Sequence, residues 1–276
     1  MMGATDDPFP AIDPVVPAPT LCIGGVPTMA FQPAVDLVTG RLLGFEALLR
    51  WPDTEGNAIP PAEVIAWAKA HGEWAALNRW VIDEACTQAT RWPSQLQVAV
   101  NCTDFQLQDR EGVMAVLMAL HRTGLNPDRL TIEVTEVTAS DQTVTEDLCA
   151  IGANGIQVSV DDLVSEDSIQ EHLKDRAVNT VKIDGSLVSG LTLPGDRKSA
   201  IVERVVQMSR SLGISTVAEA VETREQVALL REIGVDAAQG FFFCAPLNAS
   251  RALELAATIP IFHFDLNCST SMLEAG

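Results

Sequence analysis

Residues 130–162 read LTIEVTEVTASDQTVTEDLCAIGANGIQVSVDD, and this stretch decides the fold. Two short apolar runs, Leu130-Thr131-Ile132-Glu133 and Val158-Ser159-Val160-Asp161-Asp162, read as strands that close on carboxylates. Between them lies a helical pattern over 140–153, followed by Gly155 where a C-terminal glycine cap falls. Strand, helix and strand in that order make a crossover unit with parallel strands. A buried strand that ends on an unpaired charge is costly. Two in succession suggest that the strand ends converge on a cation.

The same unit recurs in both directions along the chain. Strand-like runs fall near 30–35, 43–51, 96–101, 130–134, 156–161, 180–183, 215–219 and 237–243, and helical patterns at 61–70, 74–92, 110–123, 140–153, 196–212, 223–232 and 249–258. Gly124, Gly213 and Gly234 stand at helix ends as Gly155 does, and Pro60-Pro61 opens a helix where proline is tolerated. About eight alternating strands and helices predict the α/β class and a (β/α)8 TIM-like barrel. A doubly wound open sheet is the competing architecture. No G-x-G-x-x-G follows the first strand, so dinucleotide binding of that type has no support. In a barrel the C-terminal strand ends share one face, and active sites form there.

Composition narrows the function. The 276 residues are 47% apolar with a formal net charge of −19. That charge argues against DNA and against an anionic membrane as partners, because phosphate surfaces require Lys and Arg. No apolar run is long enough to cross a bilayer, and residues 1–7 carry neither the basic nor the apolar part of a signal peptide, so a cytoplasmic location is expected. The six cysteines show no C-x-x-C spacing and the four histidines no H-x-x-x-H pairing, which removes support for a zinc ribbon, a histidine-held metal or a Ser-His-Asp triad. Residues 1–28 read as a flexible leader, 29–258 as the folded body and 259–276 as a tail.

Glu46, Asn101, Glu133 and Asp161 supply three carboxylates and an amide oxygen at strand ends, a hard oxygen set suited to Mg²⁺ or Mn²⁺. Asp162 and Glu219 complete a second cation site, and two such ions clamp an in-line displacement at phosphorus. Lys182 points into the same mouth, where it orients the attacking water, assists proton transfer or balances phosphate charge. Glu222 and Gln239 stand at the edge of this set. Taken singly, each acid is an ordinary helix cap or ion-pair partner. Several on one barrel face repel one another and need compensation.

The motifs resemble those of the EAL domain, the bacterial family that linearises cyclic di-GMP to pGpG. They are Glu46-Ala47-Leu48 within Phe31-Gln32-Pro33 … Leu49-Arg50-Trp51, then Val100-Asn101, Glu133-Val134-Thr135-Glu136, Asp161-Asp162, Val181-Lys182-Ile183-Asp184, Ala218-Glu219-Ala220-Val221-Glu222 and Ala238-Gln239-Gly240-Phe241, in the family's order over roughly 29–258. The resemblance implies a barrel with an irregular first strand and two bound Mg²⁺ or Mn²⁺ ions. It implies Glu46, Asn101, Glu133, Asp161, Asp162 and Glu219 as ligands, and Lys182 supporting the attacking water. Gln239 and Glu222 would be outer members of the site. Arg50 would contact a substrate phosphate, Gln32 would lie on the substrate side, and Glu136 would anchor the loop after Asp161-Asp162. Cyclic di-GMP, a second copy of the chain and a protein regulator are the implied partners. The family's D-D-F-G-x-G-Y-S-S is here Asp161-Asp162-Leu163-Val164-Ser165-Glu166-Asp167-Ser168, with both glycines and the aromatics replaced. That loop bears on metal affinity, rate and dimerisation. Two other readings stay open: a receptor that binds the nucleotide without hydrolysing it, and a protein-interaction module.

Overall fold

The structure, a computed structural model, describes residues 16–19, 25–102, 111–135, 142–163, 177–191, 195, 197–258 and 261–264. Its elements run β1 (Thr28–Asp36), β2 (Leu42–Pro52), β3 (Ala58–Ile59), α1 (Pro61–Ala70), α2 (Trp74–Ala89), β4 (Gln97–Asn101), α3 (Glu111–Thr123), β5 (Leu130–Thr135), α4 (Gln142–Ala153) and β6 (Gln157–Leu163). They continue with β7 (Thr180–Ile183), α5 (Gly185–Val188), α6 (Arg197–Leu212), β8 (Ser215–Ala218), α7 (Arg224–Ile233), β9 (Ala237–Ala238), β10 (Leu247–Asn248) and α8 (Ala249–Thr258). Eight strands close into a barrel in the order β1-β9-β8-β7-β6-β5-β4-β2, with β2 pairing back to β1. β2 and β4 through β9 are parallel neighbours, while β1 runs antiparallel to both β2 and β9. This closure excludes the open doubly wound sheet.

The strands alternate, which fixes what each face can do. Val98, Val100, Leu130, Ile132, Val134, Val158, Val160, Val181 and Ile183 are each 0–1% exposed and pack toward the helices. Each such side chain removed from water is worth about 1.5–3 kcal/mol. The intervening residues Ala99, Thr131, Glu133, Ser159, Thr180 and Lys182 line the barrel interior. The helices complete the outer layer through Val64 and Ala68 of α1, Leu77, Ile82 and Ala85 of α2, and Val202, Val205 and Val206 of α6. Arg122 of α3 pairs with Asp83 of α2, both nearly buried, and its Nε donates to Asp83 Oδ1 at 2.6 Å.

Helix ends follow local chemistry. Pro61 opens α1. Thr223 and Gln226 form a capping box at the start of α7, and Gly234 closes it in the left-handed region with φ 90°. Such a box is worth about 1 kcal/mol. The predicted strand at 237–243 is cut to Ala237–Ala238. Val221 N–H donates to Gln239 O and Phe242 N–H to Val221 O, turning the chain. A Cβ on Gly240 would lie 2.1 Å from Val221 O, so only glycine admits this approach.

Candidate active site

β2 spans Leu42–Pro52, one residue beyond the expected 43–51 at each end, and Glu46 sits in its interior rather than at its end. β4 stops at Asn101, and the β2–β4 register ends at Ala47↔Val100. β2 runs on because β1 and β3 supply its later partners. Glu46 therefore lies at the barrel rim while Arg50 stands four residues further along the same strand face, about 13 Å away at strand rise. Gln32 faces Glu46 across the β1–β2 register.

Neighbouring registers bring the other residues to one level. Asn101 pairs with Glu133, Thr135 with Asp161, and Lys182 with Val217. Between Val160 and Leu163 the β6–β7 register shifts. Asp162 there adopts φ 59°, a left-handed conformation that aspartate tolerates better than most residues. This irregularity presents two consecutive carboxylates at one strand end.

The centre is Lys182. Its Nζ lies 3.1 Å from Glu46 Oε2, 3.1 Å from Glu133 Oε2, 3.2 Å from Asp161 Oδ2 and 2.7 Å from Glu219 Oε1. Lys182 is 2% exposed. Asn101 Nδ2 donates to Glu46 Oε1 at 2.7 Å, and Gln239 Nε2 donates to Glu46 Oε2 at 2.7 Å and to Glu219 Oε1 at 2.9 Å. Oxygens of Asp161, Asp162 and Glu219 lie within 4.8 Å of one another. The structure thus gathers Glu46, Asn101, Glu133, Asp161, Asp162, Lys182, Glu219 and Gln239 at one barrel mouth.

The protonation of the group follows from burial and crowding. Burial lowers the Lys182 pKa, but Glu133, Glu46, Glu219 and Asp161 outweigh it and hold the ammonium well above its usual range. Burial raises Glu46, yet the Lys182 charge and the Gln239 and Asn101 hydrogen bonds bring it below the usual carboxylate value. Burial, then the charges of Glu46 and Asp161, push Glu133 well above its usual value despite Lys182. Burial, assisted by the charge of Asp161, outweighs relief from Lys182 and raises Glu219 to about 7. Burial and the charge of Asp161 also raise Asp162.

The remaining predicted residues are placed differently. Gln32 is buried and its Nε2 donates to Cys244 O at 3.1 Å, which ties β1 to the turn after Gly240. Arg50 is half-buried and donates to Leu49 O at 3.0 Å. Glu222 is exposed, and its backbone N–H, rather than its carboxylate, is engaged, by Gln226 Oε1 at 2.8 Å. Glu136 and the altered loop positions Val164 through Ser168 lie outside the described residues. The residues beneath the cluster, Thr131, Ser159 and Thr180, were missed from sequence. Their signal was present: each stands two positions before Glu133, Asp161 or Lys182 on an otherwise apolar strand.

The donor set fits divalent cations. Glu46, Glu133, Asp161, Asp162 and Glu219 carry five negative charges when ionised against one ammonium. The excess of four equals the charge of two divalent ions, and every donor is a hard oxygen. Among the described residues no helix is long and apolar enough to cross a membrane.

Comparison with known proteins agrees with this geometry. The EAL domain family model matches residues 24–246. The chain is 34% identical over 227 residues to the oxygen sensor protein DosP of Escherichia coli K12, covering 80% of this chain and 28% of the relative. It is 33% identical over 236 residues to the bifunctional diguanylate cyclase/cyclic di-GMP phosphodiesterase MucR of Pseudomonas aeruginosa, covering 82% of this chain and 34% of the relative. The chain therefore spans only about a third or less of the length of these relatives. Among solved structures, the PaMucR phosphodiesterase in complex with c-di-GMP superposes with a TM-score of 0.74 at 32% identity, covering 82% of this chain and 93% of that one. The Klebsiella pneumoniae BlrP1 complex with calcium and cyclic di-GMP gives a TM-score of 0.71 at 30% identity, covering 81% and 56%. A barrel whose mouth gathers this lysine and these carboxylates, matched along most of its length by one family model, belongs to the EAL domain family.

Proposed function

We propose that the chain is a divalent-metal-dependent phosphodiesterase that hydrolyses cyclic di-GMP to linear pGpG. One observation carries the reading: a buried Lys182 ammonium within 3.2 Å of four carboxylates at a barrel mouth, with Asp162 beside them. A pair of Mg²⁺ or Mn²⁺ ions, when bound, would supply an activated water and neutralise charge on the phosphate. Glu46, Asn101, Glu133, Asp161, Asp162 and Glu219 would hold them. The reaction adds water at one phosphorus and breaks its bond to a ribose 3′-oxygen, which leaves as a hydroxyl.

In the metal-free protein the surrounding carboxylates hold the Lys182 ammonium well above its usual range, and an ammonium there suits orienting the attacking oxygen and balancing the phosphate. Gln239 donates to two carboxylates at once and thereby fixes the spacing between Glu46 and Glu219. Arg50, further up the β2 face, suits a substrate phosphate because guanidinium matches phosphate oxygens in two-point geometry. Gln32 supports the substrate side of the mouth through its hold on the turn after Gly240, and Glu222 acts from the rim.

Turnover of cyclic di-GMP by the purified chain, compared in Mn²⁺, Mg²⁺ and chelator, tests the reading. Metal-dependent pGpG that vanishes in Glu46→Ala is the expected result. A folded protein that binds the nucleotide without turnover in any metal would overturn hydrolysis and leave a receptor.

A further inference from the structure

Barrels of this type are ordinarily filled by layers of Val, Ile and Leu side chains. This one is not. Several interior positions below the Lys182 cluster are small, among them Ala34, Gly44, Ala99, Ser159 and Ser215, with Gln97, Gln157 and Val217 the larger ones. They leave a cavity of about 380 Å³ that runs from the N-terminal strand ends up to Glu133 and Lys182. At about 30 Å³ per water, the space holds on the order of ten molecules.

Exposure along the shaft shows where solvent enters. Gln97, Asn179 and Ser215 at the lower end are exposed, and Ala99, Thr180 and Val217 midway keep a minor part of their surface exposed although they line the barrel interior. At the top, Ser159 is 1% exposed and its Oγ has no hydrogen-bond partner. A buried hydroxyl without a partner is rare in folded proteins, and an ordered water is the usual resolution. Ser159 also sits directly across the β5–β6 register from Glu133. Adjacent strands are about 4.8 Å apart, a span that one water bridges.

We propose that the shaft is a water channel reaching the back of the Lys182–carboxylate cluster, and that Ser159 is a positioning residue whose Oγ holds the innermost water against Glu133. The barrel floor then hydrates the cluster when a ligand covers the mouth. The hydration stands apart from the phosphodiesterase reading; only its effect on turnover rests on that reading.

Two measurements on metal-free protein without nucleotide decide it. A high-resolution crystal structure is expected to show a water within about 3 Å of both Ser159 Oγ and a Glu133 oxygen. A dry shaft, or an Oγ bound only to a main-chain carbonyl, overturns the proposal. In thermal melts Ser159→Ala is expected to lower Tm by about 2–4 °C, the effect of one lost water-mediated hydrogen bond in a chain of this size. Ser159→Thr, which keeps the hydroxyl, is expected to melt with the parent. A rise in Tm for Ser159→Ala overturns the proposal, because removing a hydroxyl from a dry cavity relieves an unsatisfied group. Where the parent hydrolyses cyclic di-GMP, Ser159→Ala should lower kcat about three- to tenfold with KM unchanged, and Ser159→Thr should restore it. Unchanged kcat sinks the positioning role. A parent without turnover refutes the phosphodiesterase reading and leaves the crystal and melting results to decide the channel.

Discussion

Replacing Lys182 with Met keeps most of the side-chain stem and removes the one cation among the carboxylates that surround it. Breaking a buried ion pair by deleting one partner costs about 3–5 kcal/mol. Here the low end applies, about 3 kcal/mol, because Glu133 and Glu219 already have raised pKa values and can take up protons in place of the lost charge. At 2–4 °C per kcal/mol for a large domain, Tm should fall by about 6–12 °C. The assay is a thermal melt of Lys182→Met and parent at pH 8 in chelator, repeated at pH 5. The gap should narrow at pH 5, where Glu133 and Glu219, with their raised pKa values, are protonated and need no counter-charge. Adding Mn²⁺ at pH 8 should recover part of the loss, since a cation that binds only the folded state stabilises it. A variant that melts within 2 °C of the parent at pH 8 without metal would refute the argument that Lys182 holds these charges together.

Other consequences are open to measurement. Glu219, raised from 4.5 to about 7, favours the protonated form in the folded state. Its destabilising effect is complete above about pH 7 and disappears below its unfolded value, so metal-free stability should rise as pH falls through that window. Cation binding needs the ionised groups, so affinity should weaken at least about tenfold per pH unit below 7, and calorimetry in two buffers at pH 6 should detect at least about one proton released, from Glu219 and also from Glu133; zero release would count against Glu219 as a ligand. Ala220 holds φ 49°, and its Cβ lies 2.7 Å from where a Cβ on Gly185 would fall. Ala220→Gly should therefore stabilise by about 0.5–1 kcal/mol in a urea melt, and Gly185→Ala should cost less in that background than in the parent. Asp83→Ala should cost about 3–5 kcal/mol by stranding Arg122, and the apolar pair Asp83→Leu with Arg122→Met should recover most of it; equal losses in both would argue against a charge effect.

The barrel was legible because its strands alternate with helices and each helix carries its own stop signal. Gly124, Gly155, Gly213 and Gly234 all adopt positive φ, as their positions in the sequence imply. Local periodicity and glycine geometry are properties of short stretches, and a sequence displays them directly. The shortfall at 237–243 has a non-local cause. Those residues have strand-like composition, but Val221, far away in sequence, takes their hydrogen bonds and turns the chain after Ala238. The antiparallel course of β1 is likewise set by its partners on both sides.

For the site, residue order alone shows which groups carry charge and that their strands run the same way, which is enough to bring Glu133, Asp161 and Glu219 to one end of a barrel. It did not determine their mutual distances. Only the closed structure decided that Lys182 meets four carboxylates at once, that Gln239 spans Glu46 and Glu219, and that Glu222 stays at the surface. The emptiness below the cluster was also a tertiary outcome. Small residues such as Ala99, Thr131 and Ser159 look unremarkable one strand at a time, and a cavity exists only where several strands place them around the same axis. Electrostatic energy and packing depend on through-space separation, and the chain acquires those separations only when the barrel closes.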